Sequence, residues 1–292
     1  MNTPFQPNEY LRPKDIPEAA KFLSSYGNRA RIIAGGSDLL VFKPQGVECL
    51  IDLSNLDLSY INKEKDGIVI GASTILNDIE HSPLLASGPY KVVSEAVIAL
   101  ATPTIRNTAT IGGNLCNASP AADLPPPLMV LGATVRIAGI NGRRVVPVAD
   151  LFENVKRTAL GEREFLVEVQ IPQCPGNSGA SFQKLRHHQT SVDIAIVNAA
   201  ARLTFENEIC KEVRIALGAV APTPIYAKRA EGLLQGKKID LDLIQKAAEA
   251  ASEEAKPIDD IRASAGYRKR MVVVLVRRAL EESAGRCGVW EK

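Results

Sequence analysis

Residues 102–133, TPTIRNTATIGGNLCNASPAADLPPPLMVLGA, constrain this chain more than any other stretch. Pro125-Pro126-Pro127 must start a new element, because proline is tolerated in a first helical turn and not in a helix interior. Gly112-Gly113 can take φ > 0 and carries no β-carbon, so the backbone there can lie directly against a ligand. Thr108, Thr110, Asn114, Asn117 and Ser119 add short polar side chains, and the free N–H groups of such a turn suit phosphate oxygens. Asp123 is the one carboxylate of the stretch, a natural acceptor for ribose or other hydroxyls.

A lone glycine pair is usually an ordinary loop, but a second follows the same form. Residues 31–40, RIIAGGSDLL, give a short β-type run, Gly35-Gly36, a hydroxyl at Ser37, then Asp38 and apolar residues. Two strand–GG–polar loops suggest two backbone cradles closing on one extended, phosphate-bearing ligand. Neither loop fits G-x-G-x-x-G or G-x-x-x-x-G-K-[ST], so the Rossmann and P-loop readings lack their fingerprint.

At 292 residues the chain is long enough for two domains or more. A balance of 35 basic against 33 acidic residues implies no polyelectrolyte partner, and nucleic-acid binding is not expected. The opening MNTPFQPNEYLRPKD has no basic-then-apolar leader, and no apolar run approaches a membrane span, so a cytoplasmic protein is expected. The five cysteines are scattered with no C-x-x-C pair, and His81, His187 and His188 lack metal spacing. Reduced thiols and no metal site are the expectation.

Along the chain, residues 13–27 read as a helix capped near Asp15, with Ile16, Ala19, Ala20 and Leu23 as its apolar stripe. Strands at 31–34 and 49–53 complete a small β-α-β-like unit, and Ser37-Asp38 could begin a helix whose N–H groups face a phosphate. Asp38 is expected to cap that helix or to meet a hydroxyl. A hairpin (61–62, 68–72), helices (74–81, 90–101) and strands (134–138, 143–148, 165–171) form a second unit, and PQCPGNSG at 172–179 marks the best boundary. Beyond it, strands at 181–185, 194–205 and 213–220 precede helices at 224–234, 240–256 and 267–283. The expected fold is α+β, with units 1–55, 56–175 and 176–292, the last a three-stranded antiparallel sheet with helices. The residues form no nucleophile–base pair and no HExxH or GxSxG arrangement, as befits a protein whose reactive atoms belong to a cofactor.

AGGSDLL followed by PTIRNTATIGGNLCNASPAADLPP resembles the FAD-binding subunit of the molybdenum hydroxylases, the flavoprotein family of xanthine and carbon monoxide dehydrogenases. FQKLR…VDIAIVNAAARL, RIALGAVAPTPIYAKRAEGLLQG and DDIRASAGYRKRMVVVLVRRAL agree in the family's order, from about residue 5 to 285. The resemblance implies a two-part FAD-binding domain of the vanillyl-alcohol-oxidase/PCMH-like type followed by a C-terminal flavoprotein domain. It assigns Ile32, Ile33, Ala34, Gly35, Gly36, Ser37, Asp38 and Leu39 to the FAD pyrophosphate region. Ala109, Thr110, Gly113, Asn114, Cys116 and Asn117 would lie on the same cofactor, with Ala122 and Asp123 at its sugar hydroxyls. Leu100 and Ala101 match positions lining the flavin or adenine pocket, and Phe165 and Leu166 match apolar positions beside the rings. Lys184 matches a lysine near the isoalloxazine, where a cation would stabilise reduced, anionic flavin. By its residues alone Lys184 could be the exposed member of an alternating strand. Arg106 could equally meet a phosphate or a surface carboxylate, and Tyr267 and Arg268 read as capping and packing.

The implied partners are a molybdopterin-binding large subunit and a [2Fe-2S] small subunit, with NAD or a quinone as external acceptor. A free-standing flavin-binding module and an independent flavin oxidase are the alternatives; the oxidase would need an acid or base facing the substrate, and none stands out. TPTIRN replaces the family's TGP or GPQIRN, and His187-His188 stand where basic residues commonly follow KLR, which leaves the acceptor side open. GGN runs directly into NASPAADLPP, so the variant with an iron–sulfur insertion at that point is excluded.

Overall fold

The computed structural model describes residues 5–186 and 194–288, so the expectation for His187-His188 lies outside the described residues. Helix Ile16–Tyr26 forms where its stripe predicted, with Asp15 Oδ1 accepting from the Glu18 N–H at 2.7 Å and Gly27 ending it at φ 54°. It buries Ala19, Ala20 and Leu23 against a parallel sheet ordered Glu9–Leu11, Cys49–Asp52, Ala30–Ile33. Glu9–Leu11 was not anticipated; three residues, two of them exposed, carry no readable alternation.

Asp52 ends the middle strand of that sheet and is buried. Burial alone would raise its pKa, but the Ser54 hydroxyl and N–H, the Tyr10 hydroxyl and Arg12 outweigh it and hold the carboxyl below its ordinary 3.8. The stabilisation from a depressed carboxylate is complete above the unfolded value and is lost as pH falls through the folded one. Asp52→Asn is therefore expected to lower stability at neutral pH and to flatten the acid limb of a stability–pH curve below 3.8, measured by urea unfolding.

The central layer is a five-stranded antiparallel sheet ordered Ile61–Glu64, Gly67–Gly71, Glu164–Pro172, Thr134–Gly139, Gly142–Pro147. Its middle strand Glu164–Pro172 is buried on both faces. Phe165 and Val167 join the core of helix Ile16–Tyr26, while Leu166, Val169 and Ile171 join the larger core of helices on the other side. A register shift between Leu166 and Glu168 accounts for the changed parity, since one extra residue re-aims every side chain after it.

The C-terminal sheet runs Ser178–Leu185, Val197–Glu206, Ile209–Gly218, Ile225–Tyr226, four strands rather than the three expected. The fourth is only two residues long and occupies the start of the segment expected to be helical; the helix begins later, at Lys228–Leu234. Helices Leu241–Glu254 and Ala265–Arg286 cover this sheet, capped by Asp240 and Ser264. Arg268 is buried and donates to the Ile196 and Ala219 carbonyls at 2.6 and 3.3 Å and to Asp260 Oδ1 at 2.8 Å, the packing role expected of it. At the far end of the same helix Arg286 binds Glu95 of helix Lys91–Ile98 through two nitrogens, at 2.5 and 3.0 Å, tying the two halves of the chain together. Among the described residues no helix is long and apolar enough to cross a membrane.

Candidate functional site

The stretch that constrains the sequence folds into three short helices, Pro103–Arg106, Ile111–Cys116 and Pro125–Val130. The three prolines form the first turn of the last helix, as their missing donors require. Thr110 caps Ile111–Cys116: its Oγ1 accepts from the Gly113 N–H at 3.0 Å. Gly112-Gly113 therefore lies inside a helix and neither glycine uses the positive φ open to it, contrary to the expectation of a turn.

The need for glycine is different at each position. A β-carbon on Gly112 would stand 2.7 Å from the Ala72 carbonyl, which accepts from the Gly112 N–H. A β-carbon on Gly35 would stand 1.8 Å from the Thr108 carbonyl. The two GG loops thus lie against each other, and Gly35 is the point of contact. Gly36, at φ 68°, supplies the one left-handed turn among the four glycines. Gly113 is exposed and meets only the Thr110 hydroxyl, at 3.0 Å.

Helix Leu39–Phe42 after the first loop has four residues, and Asp38 precedes it without a side-chain capping bond. So short a helix contributes little dipole, which weakens the expected phosphate-facing terminus. Leu40, Val41 and Phe42 are exposed. Lys156, which the sequence did not single out, stands over the Phe42 ring at 4.7 Å and donates to Asn117 Oδ1 at 2.7 Å, joining the ends of both loops.

A buried polar cluster lies next to the second loop. Lys184 Nζ stands 2.5 Å from Asp123 Oδ2 and donates to the Ala99 carbonyl at 3.0 Å. Lys184 is thus inward-facing, its side chain 4% exposed, and is not the solvated member of its strand. Asn198 Nδ2 donates to Asp123 Oδ1 at 3.0 Å and to the Ala122 carbonyl at 3.2 Å. Burial pushes the Asp123 carboxyl up, with Lys184 and Asn198 pulling the other way. Both Asp123 oxygens are engaged by protein, so a sugar hydroxyl would share them rather than find them free. Asn198 was missed, although a single amide within the apolar run VNAAARL is the signal of an inward polar residue with a partner.

Arg106 is buried and bound on every side: Nε to Glu80 at 2.7 Å, one terminal nitrogen to the Leu100 and Ala101 carbonyls at 3.1 and 3.0 Å. Of the two readings open for it, a carboxylate partner is the one realised, beneath the surface rather than on it. Phe165 and Leu166 belong to different cores, on opposite faces of the central sheet. The Cys116 thiol lies against the Leu166 backbone, and burial pushes its pKa up to about 12, which disfavours the thiolate at neutral pH. Asn114 Oδ1 and Ser73 Oγ are buried without a hydrogen-bond partner among the described residues. Orphaned acceptors of this kind call for a missing ligand or water, and together with the abutting backbone loops they fit an extended polar cofactor.

Comparison with known proteins gives that cofactor its name. Residues 3–174 match the FAD-binding domain in molybdopterin dehydrogenase, and residues 180–283 match the CO dehydrogenase flavoprotein C-terminal domain. The chain belongs to this family of FAD-binding oxidoreductase subunits. It is 33% identical to the carbon monoxide dehydrogenase medium chain of Hydrogenophaga pseudoflava, over 96% of this chain and 98% of that one. It is 27% identical to the xanthine dehydrogenase FAD-binding subunit of Escherichia coli O157:H7, over 96% and 97% of the two chains. Among solved structures, carbon monoxide dehydrogenase from Hydrogenophaga pseudoflava superposes with a TM-score of 0.92 at 34% identity, covering 98% of this chain and 99% of that one. Quinoline 2-oxidoreductase from Pseudomonas putida 86 gives 0.87 at 31%, covering 98% and 100%. FAD is the cofactor, and Asp123 comes from the first matched region while Lys184 and Asn198 come from the second.

Proposed function

We propose that this chain is the electron-transfer flavoprotein of a molybdenum hydroxylase, accepting electrons from the [2Fe-2S] clusters of a small subunit and passing them to an external acceptor, NAD or a quinone. Substrate oxidation belongs to a molybdopterin-binding large subunit. The observation that carries this reading is the similarity to the carbon monoxide dehydrogenase medium chain over 96% of this chain. The site agrees with it: its buried charges form two protein ion pairs, Lys184 with Asp123 and Arg106 with Glu80, neither of which offers a substrate-facing acid or base.

FAD supplies the redox chemistry when bound. The chain's own residues then bind, orient and exclude water. The 32–39 loop takes the pyrophosphate, and Ala109 to Asn117 follow along the same cofactor with Asn114 Oδ1 receiving its missing donor. Asp123 shares an oxygen with a sugar hydroxyl, and Leu100, Ala101 and the 165–166 backbone line the rings. Lys184, already neutralised by Asp123, presents a dipole rather than a free cation, so its effect on flavin potential is modest. We assign the three units 1–55, 56–175 and 176–292 to two FAD subdomains of the PCMH-like type and a C-terminal domain that completes the pocket.

Affinity purification of the tagged chain from its source cells is expected to recover two further chains carrying molybdenum and [2Fe-2S] signals, with a flavin spectrum that bleaches when the large subunit's substrate is added. A chain recovered alone, with FAD bound and oxidising a substrate unaided, would overturn the proposal in favour of an independent oxidase.

A further inference from the structure

Three consecutive carbonyls, those of Ala99, Leu100 and Ala101, each accept from a buried cation. Lys184 Nζ takes the first at 3.0 Å, and one Arg106 nitrogen takes the second and third at 3.1 and 3.0 Å. Ala101 sits at φ 49°, a left-handed conformation that disfavours any residue with a β-carbon. Such a conformation persists only where the surroundings over-determine it. The following helix Pro103–Arg106 starts after this corner, so Arg106 reaches back over it, while Nε holds Glu80 of helix Leu76–Glu80 at 2.7 Å. The Arg106 side chain is 8% exposed, and its second terminal nitrogen also turns to Glu80, at 3.5 Å, so the guanidinium is directed at protein partners.

We propose that Arg106, braced by Glu80, is a positioning residue for the flavin pocket: it clamps the Leu100–Ala101 corner in the strained shape that FAD needs. This rests on the assignment of Leu100 and Ala101 to that pocket. Without the clamp the corner relaxes toward right-handed or extended backbone, and only the fraction of chains still holding the bound shape accepts the cofactor. Apparent affinity falls by that fraction, with no ligand contact removed.

The test uses the full chain, titrated with FAD while flavin fluorescence and the visible difference spectrum are followed. Arg106→Met with Glu80→Leu removes both charges together, so no buried charge is stranded. The double variant is expected to bind FAD about tenfold more weakly or worse, with an altered flavin band, as the bound-shape fraction drops. Adding Ala101→Gly should recover much of that loss, because glycine takes φ near 50° freely and the corner forms without its clamp. Equal affinity and an unchanged spectrum in the double variant overturn the inference and leave the pocket assignment intact. A loss that Ala101→Gly does not reverse also overturns it, assigning Arg106 to stability alone. A wild-type chain that binds no FAD overturns the pocket assignment itself, and the inference with it.

Discussion

Lys184→Met is expected to destabilise the chain by about 3–5 kcal/mol, because it leaves the Asp123 carboxylate in the interior with the Asn198 amide as its hydrogen-bond donor and only the more distant charge of Arg186 to offset its burial. Breaking a buried pair from one side costs far more than the pair contributes, and Asp123 and Lys184 side chains are only 6% and 4% exposed. Replacing both, as Lys184→Met with Asp123→Leu, should return most of the loss, since a well-packed apolar pair is often as stable as a buried ion pair. Urea unfolding of the two single variants and the double closes the cycle. The pH dependence gives a second reading. In Lys184→Met the carboxyl, already pushed up by burial, rises further. A folded-state pKa above the unfolded one means that the native chain binds the extra proton, so stability falls as pH rises between the two values. The single variant should thus be closest to wild type at acid pH and furthest from it at neutral pH. A pH-independent deficit would show that Asp123 finds another partner. FAD affinity should fall in both variants, because Lys184→Met frees the carboxylate from its place and the double variant removes the oxygen that a sugar hydroxyl would share.

The pair illustrates what a sequence can and cannot disclose. Asp123 and Lys184 were both singled out, one from its isolation in a polar stretch and one by resemblance, but as separate ligands of the cofactor. Their contact spans 61 positions and two matched regions, and no local pattern encodes it. Asn198 and Glu80 are the same kind of omission: each lies far along the chain from its partner, so only the folded structure reveals why a polar residue is buried there. Helices were legible where the apolar stripe and cap coincide, as at Asp15. The segments that defeated pattern reading are those too short for a period to show, namely Glu9–Leu11, Ile225–Tyr226 and helix Pro103–Arg106. Glycine misled in a more instructive way. Its absent β-carbon was read as room for a ligand, whereas at Gly35 and Gly112 that room is filled by the protein's own backbone.

That distinction makes the glycines separable by experiment. Gly35→Ala should destabilise the chain by about 1–3 kcal/mol or more, the usual cost of overpacking, because the contact is with a carbonyl that cannot rotate away. At 1.8 Å from Thr108 O the new methyl must drive the two loops apart, so FAD affinity should fall together with stability. Gly113→Ala should do the opposite to stability: it stands inside helix Ile111–Cys116, where alanine is favoured over glycine by about 1 kcal/mol. Its β-carbon needs only a few tenths of an ångström from the Thr110 hydroxyl, 3.0 Å away, and otherwise projects from an exposed position. If FAD lies against the Gly113 backbone, this methyl occupies cofactor space, and the variant melts higher without FAD yet binds it more weakly. Thermal melts with and without FAD therefore give opposite signs for the two loops: both quantities fall for Gly35→Ala, and they diverge for Gly113→Ala. A Gly113→Ala chain that gains stability and keeps full affinity would place the cofactor away from this helix and leave Gly35, Gly36 and the 99–101 corner as its boundary.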